Sequence, residues 1–442
     1  MSRISQFAFK ETFFKSMFFY ILVLIFFISN CTKTQSWSQL PASNNPPPRT
    51  NASSIYIASS NRMVMYGGRN STGSFNDIWS LDLNTNFWQN ITPATGPVPA
   101  SRFSQNAVYD SLMNRMLIWS GQGAELYNDV WAFNLNSNTW QQLSPDGNAS
   151  GVPLKRYGTA AVFDHVNRRL VSFAGFTTSG RFEDTWSFQV DSMKWTDRTN
   201  SFHPELRCLH SACLSADRSK MIIYGGQHSG ALSDIWSLNL NTFVWTNITP
   251  VEKPAGRYFS QIVCTNTGKA IIFGGQTPSS ILGDLWKYTF DTSRWDSVDQ
   301  GMNKPSARWG HTSVYSKTSD KLIIFGGNDG DYRNDVWQFS NISTVGINTL
   351  SSTIPEKFQL LQNYPNPFNP VTKIRYNVIN AGIVNLNIYD INGKLIKELV
   401  KSYRLPGNYE EIFDGTGINS GIYFIKFSDQ KNTLTSKMIL LK

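Results

Sequence analysis

The hydrophobic positions of this chain fall in short runs. Met221-Ile222-Ile223-Tyr224 is one and Leu322-Ile323-Ile324-Phe325 another; both are rich in branched and aromatic residues and both stop at a glycine pair. Such length and composition predict strands rather than helices. The runs show no polar alternation, so both faces of these strands are expected to be buried, which calls for a sheet stacked on either side. Each run belongs to a unit that recurs six times at a period of about fifty residues. A repeat of that length constrains the fold before any other feature does.

The repeat is fixed by four kinds of position. A small doublet ends each run: Gly67-Gly68, Ser120-Gly121, Ala174-Gly175, Gly225-Gly226, Gly274-Gly275 and Gly326-Gly327. Then comes Asp-x-Trp, with Asp77, Asp129, Asp184, Asp234, Asp284 and Asp335 before Trp79, Trp131, Trp186, Trp236, Trp286 and Trp337. A second Trp follows nine residues later at Trp88, Trp140, Trp195, Trp245 and Trp295. An arginine opens each unit: Arg49, Arg102, Arg156, Arg207, Arg257 and Arg308. About fifty residues suffice for four strands and three turns, one blade of a β-propeller. The doublet supplies backbone freedom where a side chain would clash, and the tryptophans supply large faces for packing between blades. These residues resemble the kelch repeat from about Trp37 to Ser340, with Ser120 and Ala174 as mild departures. The resemblance implies a propeller, in agreement with the strand reading.

The sixth unit has no second Trp, since the chain changes character at Ser340. Near the start, however, Trp37 precedes Arg49 by twelve residues, the spacing of Trp195 to Arg207 and of Trp245 to Arg257. Trp37 to Leu40 is therefore expected to supply the last blade's fourth strand and remove the open edges of the ring. The expectation is an all-β chain with a six-bladed propeller over 37–340.

Outside the repeat, Arg3, Lys10 and Lys15 precede a twelve-residue apolar run, Met17 to Ile28, too short to cross a bilayer comfortably. Basic, then apolar, then small residues read as an export signal over 1–31. Cleavage near Cys31 or Ser36 and a lipoprotein box ending at Cys31 both stay open; Asn30 departs from the usual small residue of the latter. No transmembrane segment is expected in the mature chain. Residues 341–353, rich in Ser, Thr and Asn, read as a linker. From 354 to 442 the pattern is that of a small antiparallel β-sandwich, with alternation at Val384, Leu386 and Ile388 and an Asn392-Gly393 turn. Tyr364-Pro365-Asn366-Pro367-Phe368-Asn369-Pro370, Ser420 to Tyr423 and Lys437 to Lys442 resemble the C-terminal sorting domain of type IX secretion cargo. That resemblance implies the type IX secretion machinery as a partner and a secreted or surface-attached product, with the sorting domain cleaved within 341–353.

The formal charge of +9 divides unevenly: residues 37–340 carry 25 basic against 23 acidic residues, and no block of five basic residues occurs. Such a mixed surface argues against nucleic acid as a partner. Four cysteines do not make a disulfide framework, although Cys213 and Cys264 fall on equivalent strands of adjacent blades. Cys208, His210 and Cys213 suggest a metal site, but strand alternation turns Cys213 away from the other two. No metal and no cofactor are expected. His210 and His311, three residues after the repeat's Arg, are expected to be hydrogen-bonded structural residues. Arg102, Arg156, Arg207, Arg257 and Arg308 admit two readings. With Phe103, Tyr157, Tyr258 and Trp309 they form a platform for sugars or acidic peptides at the channel mouth; alternatively each is paired with the Asp of Asp-x-Trp. The polar loops after the doublets, with Arg69, Gln122, Gln227, Gln276 and Asn328, are a second place for a ligand. The functional expectation is a binding module for a protein or glycan; a carbohydrate-active lyase or epimerase and a purely structural envelope protein are the alternatives.

Overall fold

The computed structural model of the protein describes residues 35–342, 357–380, 382–404, 407–429 and 431–441. The export signal, Cys31 and most of the linker lie outside these residues. The chain divides into two compact units, one up to Ser343 and one from Thr344.

The first unit holds six four-stranded antiparallel sheets, five of them laid out in chain order from the first strand to the fourth. The first strands are Ser53–Ile57, Asn106–Asp110, Ala160–Asp164, Ser211–Leu214, Gln261–Cys264 and Thr312–Ser316. Each touches the first strand of the sheet before and after it, and the sixth touches the first. The sixth sheet takes its fourth strand from the N-terminal side: Ser36–Gln39 pairs with Tyr332–Ser340, Trp37 opposite Phe339. That is the register of Trp245 opposite Leu238 and of Trp295 opposite Tyr288. Trp37 to Gln39 thus close the last sheet in the expected way.

The second Trp of each unit packs on an aromatic of the preceding sheet. Trp88 meets Phe325, Trp140 meets Tyr66, Trp195 meets Trp119, Trp245 meets Phe173 and Trp295 meets Tyr224, at centroid separations of 4.7 to 5.3 Å. Trp37 completes the circuit on Phe273 at 5.0 Å. These tilted and edge-on pairs are what aromatic quadrupoles favour.

A second device joins the sheets, and the repeat pattern did not announce it. Asn51, Ser104, Gly158, Leu209, Phe259 and Gly310, two residues after each Arg, all have φ between 52 and 63°. Each donates its N–H to the carbonyl of its counterpart in the previous sheet, from Ser104 to Asn51 around to Asn51 back to Gly310, at 2.6 to 3.0 Å. The left-handed backbone turns each peptide along the circumference, so six hydrogen bonds form a closed loop. A parallel loop runs from the second glycine of each doublet to the next sheet's Arg carbonyl, for example Gly68 to Arg102 and Gly327 to Arg49, at 2.9 Å. This explains the doublet: a Cβ on Gly274 would stand 2.5 Å from the Arg308 carbonyl oxygen.

The second unit is a β-sandwich. A three-stranded sheet of Gln359–Leu360, Val371–Val378 and Gly407–Asp414 packs on a four-stranded sheet of Leu395–Arg404, Gly382–Asp390, Gly421–Ser428 and Thr433–Leu440. Ile374, Tyr376 and Phe413 from one sheet share a core with Leu386, Ile425 and Phe427 from the other. The proline-rich motif is anchored on the last strand: Asn366 Oδ1 accepts from the Ile439 N–H at 2.8 Å, and Phe368 is buried against Phe413. Tyr364, Pro365, Pro367 and Asn369 of the same motif are exposed.

Candidate functional site

The conserved geometry inside each sheet begins with its arginine. Arg102 Nη1 donates to Asp129 Oδ1 at 2.5 Å and to the Ser120 carbonyl at 3.1 Å; Nη2 donates to Asp129 Oδ2 at 3.0 Å, and Nε to the Ala100 carbonyl at 3.0 Å. Trp131 Nε1 donates to the same Asp129 Oδ2 at 2.7 Å. Arg49 with Asp77, Arg156 with Asp184, Arg207 with Asp234, Arg257 with Asp284 and Arg308 with Asp335 repeat this arrangement, and each Asp holds the Trp two residues on. All six arginines are at most 1 % exposed. Two-pronged contact with one carboxylate, plus carbonyls for the remaining N–H groups, is what a buried guanidinium requires. Burial pushes the carboxyls of Asp234, Asp284 and Asp335 up, but their arginines outweigh it and hold them below the usual range. The arginines Arg102, Arg156, Arg207, Arg257 and Arg308 therefore stand as ion pairs within the sheets, the second of the two readings.

The aromatics beside them sit between the arginines and the loops that follow the doublets. The residue after each Arg bridges the residue after each doublet: Phe103 with Gln122, Tyr157 with Phe176, Tyr258 with Gln276 and Trp309 with Asn328. Phe103 and Tyr258 are nearly covered; Tyr157 and Trp309 are half-exposed. Phe103, Tyr157 and Phe176 form one aromatic row, with centroids 6.5 and 5.5 Å apart. Tyr258, Phe259 and Trp309 form another, at 5.7 and 5.1 Å. Two half-exposed arginines lie over the first row: Arg69 is 4.3 Å from the Phe103 centroid and Arg181 is 5.6 Å from that of Phe176. The Nε of each is buried without a hydrogen-bond partner among the described residues. Arg69 was legible as a loop residue. Phe176, Arg181 and Phe259 were not, because they fall at positions where the repeat has no consistent chemistry.

The cysteines and histidines depart from expectation. Cys213 and Cys264 form a disulfide between the fourth and fifth sheets, so Cys213 is not available to a metal. Leu209 is left-handed, so Cys208 and His210 precede the strand Ser211–Leu214 rather than alternate along it. Cys208 is a buried free thiol, and burial raises its pKa. No group of three or more metal-ligating side chains is found among the described residues. His210 and His311 are buried edge-on to Phe173 and Phe273. Neither ring makes a hydrogen bond among the described residues, so the expected bonding role is not what holds them. Burial, with the neighbouring Arg207 or Arg308, lowers the pKa of each to about 3, which leaves both neutral.

Comparison with known proteins follows the same division of the chain. The KLHDC2/KLHL20/DRC7 Kelch-repeats domain matches residues 24–150, 90–263 and 197–345, and the Secretion system C-terminal sorting domain matches residues 362–441. A leucine-zipper-like transcriptional regulator 1 homolog of Drosophila melanogaster is 29 % identical over 192 residues, 41 % of this chain and 19 % of that protein. Kelch domain-containing protein 1 of Mus musculus is 28 % identical over 116 residues, 25 % of this chain and 28 % of that protein. Kelch domain-containing protein 10 of Xenopus tropicalis is 24 % identical over 202 residues, 44 % of this chain and 47 % of that protein. The chain spans less than half the length of each of these relatives.

Proposed function

This chain belongs to the kelch-repeat family, and on that premise we propose that it is a binding module, released or displayed at a bacterial surface, for a protein or glycan ligand. The sorting domain implies the type IX secretion machinery as its partner in export. In this reading residues 1–31 are the leader that brings the chain to that machinery, and residues 341–353 join the propeller to its address. Among the described residues no helix is long and apolar enough to cross a membrane.

The observation that carries the ligand face is the pair Arg69 and Arg181. Each guanidinium stacks on an aromatic ring and keeps part of its surface open, whereas the repeat's arginines are buried against their aspartates. Stacked rings offer flat apolar faces to a sugar or side chain, and the guanidinium edge offers paired donors to a carboxylate. The test is a glycan and peptide array probed with the full chain. The leading ligand should bind about tenfold more weakly to Arg69→Gln and to Arg181→Gln, and Trp309→Ala should weaken it as well. Unchanged affinity in a variant carrying all three substitutions would sink this ligand face.

A further inference from the structure

The channel has a second mouth, formed by the hairpin turns that join the first and second strand of each sheet. Its cavity has a volume of about 620 Å³, within the range of small-molecule sites. No Asp or Glu lines it, while Arg218 and Lys317 do, and both are exposed. Neither has an ion-pair partner among the described residues. Nearby carboxylates are already engaged: Asp110 by Arg115 and Arg168, Asp164 by Arg169, and Asp217 by the hydroxyls of Ser215 and Ser219. His165 stands on the same wall with Nδ1 3.3 Å from Ser111 Oγ. Burial, then Arg218, lowers its pKa, so it serves as a neutral polar partner near pH 7.

The throat of this funnel continues into a narrower cavity of about 150 Å³; Ser54, Ala107, Ala161, Ala212 and Ser313 line both. There His210 and Ser211, 6 % and 5 % exposed, present ring nitrogens and a hydroxyl with no partner among the described residues, and Ser313 Oγ is likewise unpaired. Buried polar groups are almost always hydrogen-bonded to something. Together with the Ser54 side chain, these atoms make the wall of the throat polar.

We propose that this funnel is a binding site for an anionic sugar, of mono- or disaccharide size, whose charge lies between Arg218 and Lys317 and whose hydroxyls face the serine-lined throat. It lies at the opposite end of the channel from Arg69 and Arg181 and does not depend on a ligand there. Titration of the full chain with digalacturonate, with the corresponding neutral disaccharide and with inorganic sulfate tests it. Digalacturonate should bind, and the neutral disaccharide should bind at least about tenfold more weakly. Arg218→Gln and Lys317→Gln should each weaken the acid sugar about tenfold, without shifting the melting temperature. Added salt should weaken it further. Three results would overturn the proposal: equal affinity for the neutral sugar, sulfate binding as tightly with the same dependence on Arg218 and Lys317 (an adventitious ion only), or no loss in the variant lacking both cations.

Discussion

The two ends of the channel use the same side chains for different purposes. At the end where the strands begin, six arginines occupy one repeated position, and every one is buried against an aspartate of its own sheet. At the hairpin end, Arg218 and Lys317 are exposed and unpaired among the described residues, and they occur in two sheets only. Arg69 and Arg181 share the first end with the buried arginines, yet they too break the repeat and keep part of their surface open. Residues that recur in all six units hold the sheets together. Residues that interrupt the recurrence are released from that task, and the proposed ligand contacts fall among them. A sixfold-repeated charge must be satisfied six times by the fold itself, because a buried guanidinium without a counter-charge is too costly to keep.

The largest test of this contrast is to remove a carboxylate from a repeated pair. Asp129→Ala leaves the Arg102 guanidinium, 0 % exposed, without its counter-ion and Trp131 Nε1 without its acceptor. The expected loss is about 3–5 kcal/mol by denaturant unfolding, a large share of a typical domain's stability. Arg218→Gln should stay within about 0.5 kcal/mol of the parent. If both cost the same, the division between repeated and unrepeated charges fails.

A smaller effect separates the two ends through the backbone. Gly310, at φ 63°, donates into the hydrogen-bonded loop, and an added Cβ would lie 2.5 Å from Asn51 Oδ1 and nearer still to Thr50 Oγ1. Gly268, in the hairpin turn of the fifth sheet, has φ 71° with nothing within 4 Å of the same Cβ. Both changes to Ala incur left-handed strain of about 1 kcal/mol. Gly310→Ala should add a clash of about 1–3 kcal/mol more. Equal melting temperatures for the two variants would mean that the loop at the first end tolerates displacement.

Much of this was readable in the sequence. The doublets, Asp-x-Trp and the second Trp fixed the strand order because each is one residue type at one spacing, and the displaced Trp37 gave away the closure. The Asn392-Gly393 turn and the alternation at Val384, Leu386 and Ile388 marked one hairpin of the sandwich, but not its strand order. The hydrogen-bonded loop was invisible because its six left-handed positions hold Asn51, Ser104, Gly158, Leu209, Phe259 and Gly310, and only glycine signals such a backbone. The arginines were visible, and so was their pairing with the Asp of Asp-x-Trp as one of two readings; spacing alone did not exclude the other, because Arg and Asp lie at the first and third strands of a sheet and only the fold shows that they meet across the second. The aromatic rows and the funnel were missed because they are assembled from residues of different units, at positions without a shared chemistry.

His210 and His311 give the finest test, because they stand at the structured end without belonging to the repeat: the equivalent residues are Ala52, Gln105, Thr159 and Ser260. Each stays neutral in the folded protein down to a pKa of about 3, whereas in the unfolded chain it takes up a proton near its ordinary value of 6.5. Below that ordinary value the unfolded state binds the extra proton, so stability falls as pH falls, and it stops falling only near pH 3. The slope is about 1.4 kcal/mol per pH unit for each histidine. The paired carboxylates act later and add to the loss: Asp234, Asp284 and Asp335, held below 3.8, give stability that is present above that value and lost as pH falls through their folded pKa. Denaturant unfolding between pH 7 and pH 5 therefore isolates the histidines, with His165, whose pKa burial also lowers, adding to the slope. Replacing His210 and His311 with Phe, which keeps the edge-on contacts with Phe173 and Phe273 and removes the unpaired nitrogens, should reduce that slope to the part left by His165 and leave the acid limb below pH 4 in place. A slope unchanged in the double variant would mean that the two imidazoles find protons or partners in the folded channel, which would move them from the scaffold to the ligand-facing set.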